Sequence, residues 1–402
     1  MPIKSTLLQT IMLTLLAALP LFAIEAPRML AFAPGLLGLI GLSAIIATQK
    51  QRLEPPITAL YFIIPIITLC GISVLWSIVP ETSINRAIKF APAFLSGLIA
   101  LYWASAIDKH AAHKYLFLLP LGLSLASLLA LFELNSNETI HRITRGLTQT
   151  DTLSAAVFNR GINTATLCSF SALAYLFHIK KQRLWGFITL ALLSGVLLTS
   201  DSQSALLAFV LGGIAFYAFP YRQKAAWGAL ILVLCAGILA APLLAIWLYN
   251  YADAINALPF LGGDKGYAGP RLEIWDYVAR YALNNPLYGF GLEVTRTIQD
   301  FDSQEIYIKG TTILHPHNFA LQLWIEFGLL GASISAAWIS ALVYLISKQP
   351  NILARRISLA TLIATLSIAS MGYGIWQGWW IGLLFYACAT VIITLKTIEE
   401  RS

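Results

Sequence analysis

The chain has 402 residues, 58% of them hydrophobic and only 11% charged, with a mean hydropathy of +0.74. A water-facing surface needs about a quarter of its residues charged, so this composition excludes an ordinary soluble domain. The net charge of +7 comes without a basic arm or repeated basic cluster; it argues against nucleic acid and fits the Lys and Arg excess of cytoplasmic loops.

Apolar runs of about twenty residues, enough to cross roughly 30 Å of hydrocarbon, recur along the whole chain. Alternating ten-residue strands of a membrane β-barrel are absent. The expected fold is all-α: a single integral-membrane domain over residues 1–402 with about 12 transmembrane helices. The spans fall near 6–24, 29–47, 57–76, 88–107, 115–133, 161–179, 184–200, 204–220, 226–248, 319–346, 357–375 and 379–396. The loops at 48–54, 108–114, 178–183, 221–224 and 347–356 carry Lys or Arg, and they alternate with loops poorer in positive charge at 199–204 and 371–380. With Lys4 and Arg401 on the same side, both termini are expected in the cytoplasm. The first span also reads as a cleavable signal peptide, and retention as a span is the reading adopted. The four cysteines lie in apolar segments with no metal or redox spacing, as small packed side chains do.

Two segments on the non-cytoplasmic side are long: 135–160, and a large loop over 249–318. In the second, "GPRLEIWDYVARYALNNPLYGFGLE" predicts an amphipathic helix from Gly269 and Pro270, ended by Pro286 and followed by a turn at 288–291. Such a helix can lie in the membrane interface with Trp275, Tyr277 and Tyr281 near the headgroups. Arg142, Arg145, Arg160, Lys265, Arg271, Arg280, Arg296 and Lys309 all fall on this face, where the orientation rule expects few cations. Long loops are excused from that rule, which covers most of them. Arg160 and Arg271 stand close to where their loops meet helices, at the depth of an anionic lipid phosphate or pyrophosphate.

In "ILHPHNFALQLWIEFGLLG" (313–331), His317 occupies the entrance to the tenth span. The helix dipole there disfavours an imidazolium and should leave a neutral base. Asn318 can cap the helix or orient the ring, and Pro316 holds His315 out of the helix. An interfacial headgroup contact is the plainer reading of such a histidine. His315 and His317 do not share a helix face and no further ligands appear at metal spacing, so no metal is expected. No Gly-x-Ser-x-Gly elbow accompanies them. Glu326, inside the tenth span, is the kind of residue a proton relay uses, but the spans do not show the paired broken helices of inverted-repeat transporters.

His317-Asn318, nine residues, Gly328, two residues and Gly331 resemble the signature of bacterial O-antigen ligases, within the O-antigen ligase and polymerase family. "RLEIWDYVARYALNNPLYGFG" (271–291) and "LWSIVPETSINRAIKFAPAFLSGLIAL" (75–101) are similar to two further blocks of that family. The resemblance implies an inverting glycosyltransferase without cofactor or metal, at the periplasmic face of the bacterial inner membrane. The donor would be a glycan on undecaprenyl pyrophosphate and the acceptor a lipid A core sugar hydroxyl. It implies His317 as the catalytic group, Arg271 on the pyrophosphate with Arg280 as a further donor-binding candidate, and Asn318 and His315 in support. Many relatives carry an arginine where Gln203 stands in "LTSDSQSALLA"; Arg160 is the candidate to replace that charge. A polysaccharide polymerase uses the same donor class and stays open, as does, outside enzymes, a flippase for lipid-linked sugars.

Overall fold

The structure is a computed structural model. It describes residues 2–49, 57–148, 150–258, 268–298, 313 and 315–398. The loop at 50–54, Lys265, Lys309 and Arg401, all named above, lie outside the described residues.

Sixteen α-helices and no strand occur among the described residues. They are α1 (Pro2–Glu25), α2 (Ala33–Gln49), α3 (Ile57–Ile72), α4 (Pro80–Ala106), α5 (Lys109–Asn135), α6 (Thr139–Arg145), α7 (Asn159–Ala174) and α8 (Arg183–Thr199). Then follow α9 (Gln203–Ala218), α10 (Lys224–Leu239), α11 (Ala241–Tyr249), α12 (Ala252–Asn256), α13 (Ala268–Ala282), α14 (Phe319–Ser347), α15 (Ile352–Met371) and α16 (Gly378–Lys396). Eight of the described helical segments are long and apolar enough to cross a membrane, and α10 with α11 forms a ninth if that bent pair is one span. Three shorter apolar helices, Ala33–Ala47, Arg183–Thr199 and Gln203–Ala218, fall at the remaining spans read from the sequence. The all-α polytopic reading is borne out.

Large apolar side chains on the outside, such as Leu184 at 76% and Leu232 at 69% exposure, are what a helix surface facing lipid presents. Inside, small residues let helices meet backbone to backbone, the packing that membrane helices favour. A methyl group on Gly382 of α16 would lie 1.9 Å from the Leu30 carbonyl oxygen, and one on Gly122 of α5 would lie 2.2 Å from that of Ala17 in α1. Helix α1 packs along α5 and α7, and Leu13, Leu16 and Ile24 are fully buried in the main core. At one end of the bundle Arg356 of α15 sits over the rings of Phe216 and Tyr221, Arg355 donates to the Tyr221 carbonyl, and Lys396 donates to that of Ser105.

Two segments read as single spans are broken. The 226–248 run turns by 71° between α10 and α11, where Pro242 cannot supply the helical hydrogen bond. Helix α14 is interrupted at Gly328, which has φ +61° and ψ −151°, a conformation open essentially to glycine alone. The segment 285–291 lies against this break. Phe290 and Gly291 donate to the carbonyls of Ile325 and Glu326, and Leu329 and Leu330 donate to those of Pro286 and Leu287. The same segment reaches the connection before α4, where Ile78 donates to the Phe290 carbonyl and Trp76 Nε1 to that of Tyr288; just beyond it, Ser83 Oγ in the first turn of α4 donates to the Leu292 carbonyl. The three sequence blocks that carry the family resemblance are thus one packed unit, although some 250 residues separate their ends.

Candidate active site

The opposite end from Arg356 gathers the starts of α7, α14 and α16, the end of α15, and α13. Helix α14 begins with an N-cap: Asn318 Oδ1 accepts from the backbone N–H of Ala320 (3.0 Å) and Leu321 (3.2 Å). Just before it, His317 has φ +54°, a left-handed backbone that histidine tolerates better than most residues. This turn aims the ring at the C-terminus of α15, whose last carbonyls have no partner within the helix. His317 Nδ1 donates to the Gly372 carbonyl there. A carbonyl can only accept, so Nδ1 holds the proton and the neutral ring keeps its lone pair on Nε2.

Burial, first of all, holds the His317 pKa below the ordinary histidine range; the Gly372 bond pulls it back up and the Arg271 charge pushes it down again. The direction matches the sequence expectation, and burial is its largest cause. Arg271 comes near through α13. Trp275, one turn further along the same face, donates its indole N–H to the Pro316 carbonyl at 2.8 Å and so ties α13 to the His-Pro-His stretch. Trp275 is only 7% exposed, and α13 packs on α11, α12 and α14 rather than lying free in the headgroup layer. That corrects the interfacial reading of Trp275.

His315 lies beside His317, with ring centroids 4.2 Å apart. Burial, His317, Arg296 and Arg160 together push its pKa down to about 3. Both histidines are therefore neutral at physiological pH. This has a stability consequence. The unfolded chain takes up a proton at His315 below about pH 6.5, whereas the folded chain resists until about pH 3. Stability present above pH 6.5 is lost as the pH falls through that window. The thermal midpoint in detergent should drop between pH 7.5 and 4.5, and His315→Gln should flatten that dependence.

Arg160, the second residue of α7, sits over the Trp379 ring at 5.3 Å, and its charge acts on His315 and Tyr373. Tyr373 packs edge-on against Trp379 at 4.6 Å and accepts a hydrogen bond from Asn163 Nδ2 at 3.0 Å. Burial is the main reason its phenol is pushed up to about 12, so it remains protonated. Gln203 opens α9. Gly212, nine residues on, meets Phe170 of α7 and Ala360 of α15. About 13 Å of helix then brings Gln203 to the level of Arg160 and the α15 C-terminus. Arg280 is exposed and held by the Asp276 carboxylate at 2.8 and 3.0 Å, apart from the histidine pair. Arg296 pairs with Glu293. Among the described residues no group of three His, Cys, Asp or Glu side chains could hold a metal ion.

The sequence reading did not single out Gly372, Tyr373, Gln377, Asn163 or the role of Glu326. A run of Tyr, Trp, Gln and Gly at the mouth of two spans was the available signal. Glu326 is an anchor for that run: Oε2 accepts from the Trp376 indole at 2.6 Å and Oε1 from Gln322 Nε2 at 2.9 Å, while Gln322 Oε1 accepts from the Ile375 N–H. In Glu326→Gln an amide NH2 must face one of two donors. That should cost about 1–3 kcal/mol and lower the thermal midpoint, whereas Glu326→Asp should lose less where it can still accept.

Fold and site together define a polytopic helical membrane protein with a cluster of neutral histidines and arginines at one end of its bundle. A family model described as O-Antigen ligase matches residues 188–336. The chain is similar to three proteins named "Putative polysaccharide ligase". That of Rickettsia typhi is 28% identical over 324 residues, 78% of this chain and 75% of the relative. That of Rickettsia prowazekii is 28% identical over 320 residues, again 78% and 75%. That of Rickettsia conorii is 28% identical over 267 residues, 65% and 62%. The resemblance read from the residues is borne out, and these findings support membership of the O-antigen ligase family. The matched segment holds Gln203, Arg271, Arg280, His315, His317 and Asn318; Arg160, Gly372 and Tyr373 lie outside it.

Proposed function

We propose that the chain is a membrane glycosyltransferase of O-antigen ligase type. It moves a polysaccharide from undecaprenyl pyrophosphate to a sugar hydroxyl of the lipid A core, at the periplasmic face of the inner membrane. The observation that carries this reading is His317: its Nδ1–H is engaged by Gly372, its Nε2 lone pair is left over, and Arg271 and Arg160 stand near the histidine pair. His317 Nε2 takes the proton of the acceptor hydroxyl as that oxygen attacks the anomeric carbon. The glycosyl–phosphate bond breaks on the opposite face, inverting the centre, and the departing pyrophosphate charge falls to the arginines. No metal is required in this scheme, since guanidinium groups supply the positive charge. The periplasmic assignment rests on the Lys and Arg gathered at the far end of the bundle, the side that faces the cytoplasm by the positive-inside rule.

The test is transfer from lipid-linked glycan to purified core acceptor in vitro, with chelator present, alongside lipopolysaccharide banding of a deletion strain. Loss of the whole polymer ladder with lipid-linked polymer accumulating supports a ligase; a core bearing a single repeat unit would instead mean a polymerase. Arg271→Ala should lower kcat/KM about a hundredfold, and Arg271→Lys should recover only part, because an ammonium lacks the bidentate fork. Arg160→Ala should also cost far more than Gln203→Ala. The reverse order would show that Arg160 does not replace the missing charge.

A further inference from the structure

Gln377 lies immediately before α16, in the turn that follows α15. Its side-chain amide touches two groups of fixed chemistry. The Trp379 indole N–H, which can only donate, is 2.7 Å from Gln377 Oε1. That contact settles which end of the amide is oxygen, so the NH2 end faces His315 Nε2 at 3.2 Å. An amide NH2 donates and cannot accept, which obliges His315 Nε2 to carry a lone pair. A neutral ring with its lone pair on Nε2 has its proton on Nδ1. His315 Nδ1 is buried and has no hydrogen-bond partner among the described residues.

We propose that Gln377 is a positioning residue that fixes His315 as an Nδ1–H donor, held open for an oxygen atom of the bound glycan substrate. This rests on the reading of the histidine pair as the transfer site. The two adjacent imidazoles carry their protons on the same ring atom and do opposite work. His317 commits its N–H to the Gly372 carbonyl and presents a lone pair. His315 commits its lone pair to Gln377 and presents an N–H. A buried donor without an acceptor costs free energy, and a substrate oxygen placed against it recovers that cost. Burial first, then the neighbouring His317 and the charges of Arg296 and Arg160, keep His315 from ionising, so the donor stays neutral.

The chain has six histidines, few enough to resolve by ring-15N labelling of the full-length protein in detergent. His315→Gln assigns the His315 signals. In the wild type His315 should show a protonated Nδ1 and a bare Nε2. In Gln377→Glu the carboxylate can only accept, so the proton should move to Nε2, with the His317 signals unchanged as evidence of an intact pocket. Transfer by this variant should fall about a hundredfold, as when one preorganised donor is withdrawn from a site. An accompanying rise in KM falls on the lipid donor if the oxygen belongs to the pyrophosphate and on the acceptor if it belongs to a sugar. A protonated Nε2 on His315 in the wild type overturns the inference, however the variant folds, and leaves His317 as base untouched. So does transfer by Gln377→Glu within twofold of wild type. Full transfer by His317→Ala would remove the function reading and leave the tautomer measurement standing.

Discussion

Replacing His317 by alanine is expected to lower glycosyl transfer about a thousandfold, inside the range of roughly 10²–10⁴ that a positioned general base contributes. Binding of the lipid donor should change little, because the arginines remain. The pH profile gives the sharper signature. His317 must be neutral to accept a proton, and burial holds its pKa below the ordinary histidine value of 6.5. The wild-type rate should therefore be level across neutral pH and fall only on the acid side of that value. The residual rate of His317→Ala should lack this acid limb. A variant that keeps more than a tenth of wild-type transfer, with the limb intact, would assign the base elsewhere.

The second large effect concerns folding rather than chemistry. At Gly328 a methyl group would sit 2.6 Å from the backbone carbon of Leu287 and the backbone nitrogen of Tyr288, neither of which can swing aside. Its φ and ψ also belong to glycine alone, a conformation that costs other residues about 1–3 kcal/mol before any clash. Gly328→Ala should therefore destabilise by about 3 kcal/mol or more, read as loss of monodisperse protein and a lowered thermal midpoint. Gly228 of α10 has nothing within 4 Å of the corresponding position. Alanine there should be neutral or gain up to about 1 kcal/mol, as expected for glycine in a helix interior. Equal behaviour of the two variants would mean that the segment 285–291 does not pack into the break.

The membrane class and the positions of the spans were legible in the sequence because hydrocarbon imposes a length and a polarity on every crossing segment. The spacing of Arg271 and Trp275 was legible too, and the fold explains it: one helical turn puts the guanidinium beside the histidines while the indole grips the Pro316 carbonyl. What stayed hidden depends on segments far apart in the chain. Nothing local to Gly328 says that a loop forty residues earlier will occupy its break. Nothing in "MGYGIWQGWW" says that its first glycine carbonyl and its glutamine amide will set the proton positions of two histidines over fifty residues away. Trp275 was misplaced for the same reason: amphipathic periodicity gives a helix its apolar face but does not say whether lipid or protein covers it.

The partner of His317 is a peptide carbonyl, a group every amino acid carries. Side-chain replacement at residue 372 cannot delete it, as it could a serine or an aspartate in the same role, but a side chain there would press on the Ile368 carbonyl oxygen at 2.7 Å and so shift it. His315 has no such insurance: its orientation hangs on one amide that a single codon change can reverse. The partner of His317 can be displaced but not removed by substitution, while that of His315 can be inverted outright.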